Sequence, residues 1–384
     1  MKLDGSQICV LVSQLGYGGA ERQTAVLLEE LSRRHGLRPL VCSMSADLEP
    51  FGARIRGAGC ELVHWNRRSS YEFRRVRFLR SLLRERGIRI LHAVHYQALA
   101  YGWLARLGLP QVALVPAVRS TVYDPNLRKR AYYRATLSRC KLVISNSITG
   151  GQWLRQFYGV PSKRVMIVPN GLDPKLLAAA PDRAAVRHAL GIPEGSPLVA
   201  FVGKINSHKG LPFLVRLFRR VLRDRPDAHL LLMGHGLTPA WVEENFGGEP
   251  RAHGLGTRND VYDLLGSADA LLLTSPTEGF PNCVLEAMVL GVPPVVTQVG
   301  ECPYLIEHGE DGYLFEYDDE EEGARLLLQV LGDDALRQSL SLRARRKART
   351  RYGTDAMVAG TLEAYQRALG SIFPLQAPEL AGMR

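Results

Sequence analysis

Two glutamates, Glu278 and Glu286, stand eight positions apart in the run Glu278-Gly279-Phe280-Pro281-Asn282-Cys283-Val284-Leu285-Glu286. The first falls in a turn and the second inside a helical stretch, a spacing that lets two acids converge on one polyhydroxyl ligand. Paired acids also serve glycoside hydrolysis, as acid and nucleophile about 5 Å apart. The helix register of Glu286 suits a ribose better. The loop between them offers backbone N–H groups, and the helix that follows offers the positive end of its dipole, both suited to a phosphate oxygen. Two lysines add charge. Phe201-Val202-Gly203-Lys204 closes an apolar run and His208-Lys209-Gly210 precedes a helix, so Lys204 and Lys209 can neutralise a diphosphate. Gly18 and Gly19, within Gln14 to Glu21, permit close backbone approach to a ligand. The dinucleotide fingerprint is absent there, because Glu21 occupies its last glycine position, which weakens a dehydrogenase reading. Gly234 and Gly236 flank His235 in a further turn, and the backbone of His253-Gly254-Leu255-Gly256 can meet a base edge.

These pieces need a frame that brings them together. Apolar runs predict strands at Ile8–Val12, Pro39–Cys42, Ile90–Ala93, Val112–Val115 and Leu142–Ser145, with helices at Ala20–Arg34 and Glu72–Arg86. The second half repeats the layout, with strands at Leu198–Val202, His229–Met233, Ala270–Thr274 and Pro294–Val296. Its helices are Leu211–Arg223, Val261–Leu265 and Asn282–Leu290, the last capped by Asn282 and stopped by Gly291 and Pro293. Alternating strands and helices predict parallel sheets covered by helices, which bind ligands at the carboxyl ends of their strands. A chain of 384 residues exceeds one ordinary core. The turn cluster from Asn170 to Pro181 is the expected hinge, and a last helix is expected at Thr354–Leu369.

The ordered set Gly18-Gly19-Ala20-Glu21, Asn146-Ser147, Asn170-Gly171-Leu172-Asp173, Gly203-Lys204 with Lys209-Gly210, Gly234 with Gly236, Gly254, and Glu278 through Glu286-Ala287-Met288 to Pro293 resembles the retaining glycosyltransferases of family 4. The resemblance runs from about residue 8 to 370. It implies the α/β GT-B fold, two Rossmann-like doubly wound domains facing across a cleft. Residues 1–172 would bind the acceptor and 173–355 the nucleotide sugar, with a helix at 356–370 crossing back to the first domain and a flexible tail at 371–384. By the same resemblance, Glu286 holds the ribose hydroxyls and Glu278 faces the donor sugar. Gly279, Phe280, Asn282 and Cys283 then present backbone groups to the sugar and diphosphate, with Val284, Gly203, Gly234 and Leu255 also in the donor site. Lys209 matches the diphosphate lysine. Lys204 stands where the family usually has an arginine, keeping the charge and losing the bidentate fork. Gly18 and Gly19 would meet the diphosphate from the other domain. The family commonly has a histidine near the transferred sugar, after the fourth amino-terminal strand. The strand read here as fourth leads into Arg119-Ser120-Thr121, which leaves His95 as the next residue for that role and Arg119 for an acceptor phosphate.

The implied reaction is a front-face, retaining transfer from a nucleotide diphosphate sugar, most simply UDP-linked, to a lipid-linked or polysaccharide acceptor. The departing diphosphate would help deprotonate the acceptor hydroxyl. No Asp-x-Asp pair occurs, and with lysines and helix dipoles supplying leaving-group charge neither Mg²⁺ nor Mn²⁺ nor any cofactor is expected. A sugar epimerase or phosphorylase on a similar fold, and a catalytically silent membrane scaffold, are the alternatives.

Charge is divided unevenly. Residues 1–180 carry 28 Lys and Arg against 11 Asp and Glu, while the remainder carries 21 against 27. Nine arginines lie between Arg67 and Arg89, interleaved with Tyr71, Phe73 and an apolar face of Val76, Leu79 and Leu83; Arg128-Lys129-Arg130-Ala131-Tyr132-Tyr133-Arg134 forms a second cluster. Basic amphipathic helices of this kind bind anionic lipid surfaces. Nucleic-acid binding lacks a recognition motif and leaves the donor residues without a purpose. No apolar run is long enough to span a membrane, the opening Ile8–Val12 run is strand-length, and the six cysteines are scattered without ligand spacing. A cytoplasmic protein, peripheral on the inner membrane face and with reduced thiols, is the expectation.

Overall fold

The computed structural model describes residues 4–65, 72–119 and 126–370. Arg67, Arg68 and Tyr71 of the first basic cluster, Ser120 and Thr121, and the expected tail at 371–384 lie outside the described residues. Two compact units emerge, one from residues up to Gly171 together with those from Thr354 onward, the other from Leu172 to Gly353. The chain thus returns to the first unit at Thr354, two residues before the boundary expected from sequence.

Unit 1 holds seven parallel strands: β1 Ile8–Val12, β2 Leu40–Ser43, β3 Leu62–His64, β4 Ile90–Val94, β5 Ala113–Val118, β6 Val143–Ser145 and β7 Val165–Ile167. Its helices are α1 Gly19–His35, α2 Phe51–Gly57, α3 Phe73–Glu85, α4 His95–Arg106, α5 Leu127–Leu137 and α6 Ile148–Tyr158. Unit 2 holds six more strands: β8 Leu198–Val202, β9 His229–Met233, β10 Ala252–Gly256, β11 Ala270–Leu273, β12 Pro294–Thr297 and β13 Tyr313–Phe315. Its helices run from α7 Pro174–Leu177, α8 Arg183–Ala189, α9 Leu211–Asp224, α10 Pro239–Phe246 and α11 Val261–Gly266 to α12 Asn282–Leu290, α13 Cys302–Leu305, α14 Glu320–Gly332 and α15 Asp334–Arg351. A last helix, α16 Thr354–Leu369, packs on α1 and β5 in unit 1.

The sheets read β3-β2-β1-β4-β5-β6-β7 and β10-β9-β8-β11-β12-β13, the same winding twice. The direction of winding reverses between β1 and β4 in one sheet and between β8 and β11 in the other. Residues in the central strands β1, β4 and β11 are buried throughout, because helices cover both faces, which is why they appear as continuous apolar runs. All four edge strands, β3, β7, β10 and β13, escape the sequence reading. They are three to five residues long and only partly buried, and β10 is interrupted by glycine.

Helix α3 departs from its expected face. Leu79, Leu82 and Leu83 are buried and Val76 only partly so, while Arg75 goes inside and lies 5.4 Å from the Tyr101 ring centroid. Its aliphatic stem and flat guanidinium let an arginine lie against an aromatic face where a lysine could not stack. All six cysteines are buried free thiols.

Candidate functional site

Lys209 and Glu278 come together at the reversal point of unit 2, where the loops leaving β8 and β11 meet. The β8 loop turns through Gly203, whose N–H donates to Met233 O at 2.9 Å. Asn206 accepts from the backbone N–H of His208 and holds the short turn Ser207–Lys209. The stem of Lys209 then crosses the α-carbon of Gly203: a methyl placed there would sit 3.3 Å from both its Cδ and Cε. Gly210 closes the turn at φ 58°, with Thr274 O occupying the space a side chain would need. The Lys209 ammonium ends 2.6 Å from Glu278 Oε1. Ser275, at the end of β11, donates its hydroxyl to the same oxygen at 2.7 Å.

The pair is mostly enclosed, with side-chain exposures of 18% for Lys209 and 12% for Glu278. Burial pulls the Lys209 ammonium down, but the attraction of Glu278 outweighs it and leaves the group above its ordinary value. Lys209 is therefore charged at neutral pH. An ammonium has three donors, so it can hold Glu278 and still offer protons to a phosphate oxygen.

A second loop clamps the glutamate from behind. Gly300 has φ 56°, and Glu278 O stands 2.0 Å from where its Cβ would be, so no side chain is possible. The N–H of Glu301 donates to Gly279 O at 3.1 Å, and Thr297 Oγ1 donates to Ser275 O at 2.7 Å. Glu286 lies eight residues on, 6% exposed, in a helix whose residues from Cys283 to Leu290 are all buried.

Helix α12 begins at Asn282 itself, with Pro281 in the capping position and no side-chain cap. Asn282 is therefore not the cap expected from sequence. Gly291 ends the helix in the left-handed conformation, as expected. Phe280, read as a backbone contributor, turns its ring into the core and meets Tyr352 edge-on at 6.2 Å. Val284 and Cys283 are likewise core side chains. Gly234 lies against Gly203 O, and Leu255 is half-buried on the unit 2 core. Lys204 is exposed and has no ion pair among the described residues, so the two lysines are not equivalent. Ser275 and Thr297 were not foreseen. The only signal for Ser275 was its place directly after an apolar strand.

In unit 1, α1 starts at Gly19 with Gly18 before it. Gly18 has φ 179°, an extended conformation open to any residue, so backbone freedom is not what requires glycine there. The Glu21 carboxylate fills the space instead, 2.1 Å from the Cβ position. His95 directly follows β4 and has φ 72°, a conformation that non-glycine residues rarely adopt. With β3 counted, the strand before His95 is the fourth and the strand before Arg119 the fifth, one more in each case than read from sequence. His92, on β4, is buried, with Nδ1 2.8 Å from the Tyr365 hydroxyl of α16. Burial, helped by the Arg119 charge, pulls it down to about 3. Arg119 Nη1 donates to Asn170 Oδ1 at 3.1 Å. Among the described residues, no group of three or more His, Cys, Asp or Glu side chains is placed to hold a metal ion.

Two parallel Rossmann-like sheets wound in the same order define the GT-B fold. The same fold occurs in a glycosyltransferase of Rickettsia africae (TM-score 0.80, 18% identity, covering 94% of this chain and 98% of that one) and in Anabaena HepE with UDP and glucose (TM-score 0.81, 21% identity, 93% and 98%). Residues 17–176 match Glycosyltransferase Family 4 and residues 196–333 match Glycosyl transferases group 1. A D-inositol 3-phosphate glycosyltransferase of Salinispora arenicola is 30% identical over 323 residues, spanning 76% of this chain and 71% of its own length. An N-acetyl-alpha-D-glucosaminyl L-malate synthase of Bacillus anthracis is 31% identical over 202 residues, and the match spans only about half of each, 52%. The chain belongs to the family 4 glycosyltransferases.

Proposed function

We propose that the protein transfers a sugar, with retention of configuration, from a nucleotide diphosphate sugar, UDP-linked, to a lipid-linked or polysaccharide acceptor at a membrane surface. The observation that carries the donor half is the enclosed Lys209–Glu278 pair at the reversal point of unit 2. In this reading Glu286 accepts hydrogen bonds from the ribose hydroxyls, and Glu278, fixed by Ser275 and Lys209, faces the sugar. Lys209, with Lys204 from the exposed side, meets the charge that grows on the leaving diphosphate, so the chemistry needs no divalent ion. The departing phosphate oxygen takes the acceptor proton. His95, held in a strained conformation, is the residue of unit 1 nearest in role to the family histidine.

Support for the membrane half comes from α3 and α5. Phe73 and Leu127, in their first turns, are 84% and 72% exposed. Beside them Arg74, Arg77, Arg128 and Lys129 are exposed. Apolar anchors ringed by cations favour an anionic lipid surface, at about 1 kcal/mol per cation. No described helix is long and apolar enough to cross a membrane. A second reading, a small soluble anionic acceptor, is favoured by the relatives, which are named for L-malate and for D-inositol 3-phosphate.

The test is a panel of UDP-, GDP- and ADP-sugars scored by protection against thermal unfolding, since a ligand of the native state raises stability by mass action. UDP-sugars should protect, the transferred sugar should keep its anomeric configuration by NMR, and Glu278→Ala should abolish transfer while remaining folded. Protection by none of the donors, or full turnover in Glu278→Ala, would sink the reading.

A further inference from the structure

Unit 2 gathers much of its positive charge in one place. Of the 21 Lys and Arg in residues 181–384, six lie between Arg343 and Arg351, a stretch without an acid, so the last turns of α15 are basic in an otherwise acidic half. The helix buries Leu340, Ala344 and Ala348. Two of the cations are spent on the loop before β13, Arg343 on Glu310 and Lys347 on Asp311. Arg345 donates to Leu290 O at 2.8 Å and Ser341 to Gly291 O at 2.5 Å, which ties α15 to the carboxyl end of α12. Arg346 and Arg349 are exposed and form no ion pair among the described residues. Spacings of four and three put them on one face with Leu342, which is 68% exposed. Arg345 and Arg349 then edge a cavity of 260 Å³ walled by Leu176, Pro181, Val289 and Leu290.

An exposed leucine alone needs no explanation. Here it stands among cations and beside a cavity with apolar walls and a cationic edge, which together match the two halves of an amphiphile. A nucleic acid would use the cations and leave the apolar half in water. The cavity is smaller than the pockets of about 300–1,000 Å³ that enclose a ligand, so its occupant enters only in part, as a lipid at a bilayer surface does. Arginine suits that setting, because its guanidinium pairs with a phosphate while its stem lies along apolar surface. We infer that the outer face of α15 from Leu342 to Arg349, with the cavity beside it, is a docking surface for an anionic phospholipid bilayer. Arg346 and Arg349 meet headgroup phosphates, and Leu342 enters the interface between them. This contact is independent of α3 and α5 and of which sugar is transferred. Helix α12 is about 13 Å long and has its amino end at the donor loop and its carboxyl end at this surface, so substitutions here spare Lys209 and Glu278.

The experiment uses the full chain carrying the environment-sensitive fluorophore NBD on Leu342→Cys; the six native thiols are buried and stay unlabelled in the folded protein. Glu321→Cys, exposed on α14, is the control position. Vesicles of equimolar phosphatidylcholine and phosphatidylglycerol should raise and blue-shift the emission at position 342 and leave position 321 unmoved. Pure phosphatidylcholine should do neither, and high salt should reverse the response. Arg346→Gln with Arg349→Gln should weaken vesicle binding about 30-fold, the loss of two cations at an anionic surface, with an unchanged melting temperature. The response at position 342 should persist in Phe73→Ser with Leu127→Ser, where the contact of unit 1 is weakened. A silent probe at position 342 while the protein sediments with the vesicles overturns the inference and leaves the membrane half of the proposed function standing on unit 1. Wild-type affinity in the arginine double variant overturns it as well. A larger response to polyglutamate than to vesicles assigns the surface to an acidic protein partner and overturns the lipid assignment.

Discussion

The two sheets share one winding but differ in how the buried polar groups on and after their strands are satisfied. In unit 2 the charged groups are paired: Lys209 with Glu278, and Glu278 with Ser275. In unit 1 buried polar atoms stand without partners among the described residues, notably Arg119 Nε and His92 Nε2. A site whose charges already neutralise one another is rigid before its ligand arrives, and its ligand competes for hydrogen bonds already made. A site with unpartnered donors is costly when empty, and its ligand removes that cost.

The largest effect should come from removing charge in unit 2. Under the proposed function, Lys209→Ala takes away the cation beside the leaving diphosphate and leaves Glu278 enclosed without that counter-charge. Turnover should fall about a thousandfold, with stability reduced by about 3 kcal/mol, measured by steady-state rates and urea unfolding. A similar loss of turnover in Lys204→Ala would blur the distinction between the paired and the exposed lysine.

Acid should strike unit 1 through His92. Its folded value of about 3 lies below the ordinary 6.5, so on acidification the unfolded chain takes the proton first. The stability contributed by the neutral, buried ring is whole above pH 6.5 and is lost as pH falls from 6.5 toward 3. At pH 5 the loss is about 2 kcal/mol. His253 in unit 2, pulled down to about 4 by burial and by His229, works in the same direction, but it is only half-buried and should contribute less. Denaturation midpoints at pH 7 and 5 should converge in His92→Gln; an unchanged pH dependence would remove His92 from the account.

How much of this was legible in the sequence follows the same division. Central strands and α12 could be read because burial on both faces writes a continuous apolar run. The edge strands could not, because half-exposed segments such as Leu62–His64 carry no such run. That omission misnumbered the strands by one and gave the position after the fourth strand to Arg119 rather than His95. Glu278, Glu286 and Lys209 were legible as types and spacing. The role of Ser275 was not, since a serine after a strand is usually only a turn residue. Arg75 was read as a surface cation because a helical wheel cannot foresee an aromatic ring such as Tyr101 waiting inside.

A smaller effect is expected at the membrane-facing residues of unit 1. Phe73→Ser with Leu127→Ser should weaken binding to anionic vesicles about 100-fold, at about 1.5 kcal/mol for each buried side chain, and rising salt should weaken what remains. Unaltered binding in the double variant would assign docking to charge alone.

The division of labour between the sheets is tested most directly by titrating UDP calorimetrically into the wild-type protein, Glu286→Ala and Arg119→Gln. Losing a charged acceptor of the ribose hydroxyls costs about 1.5–3 kcal/mol, so Glu286→Ala should bind UDP about 10- to 100-fold more weakly. Arg119→Gln should bind it as the wild type does. Equal weakening in both variants, or none in Glu286→Ala, would contradict the account.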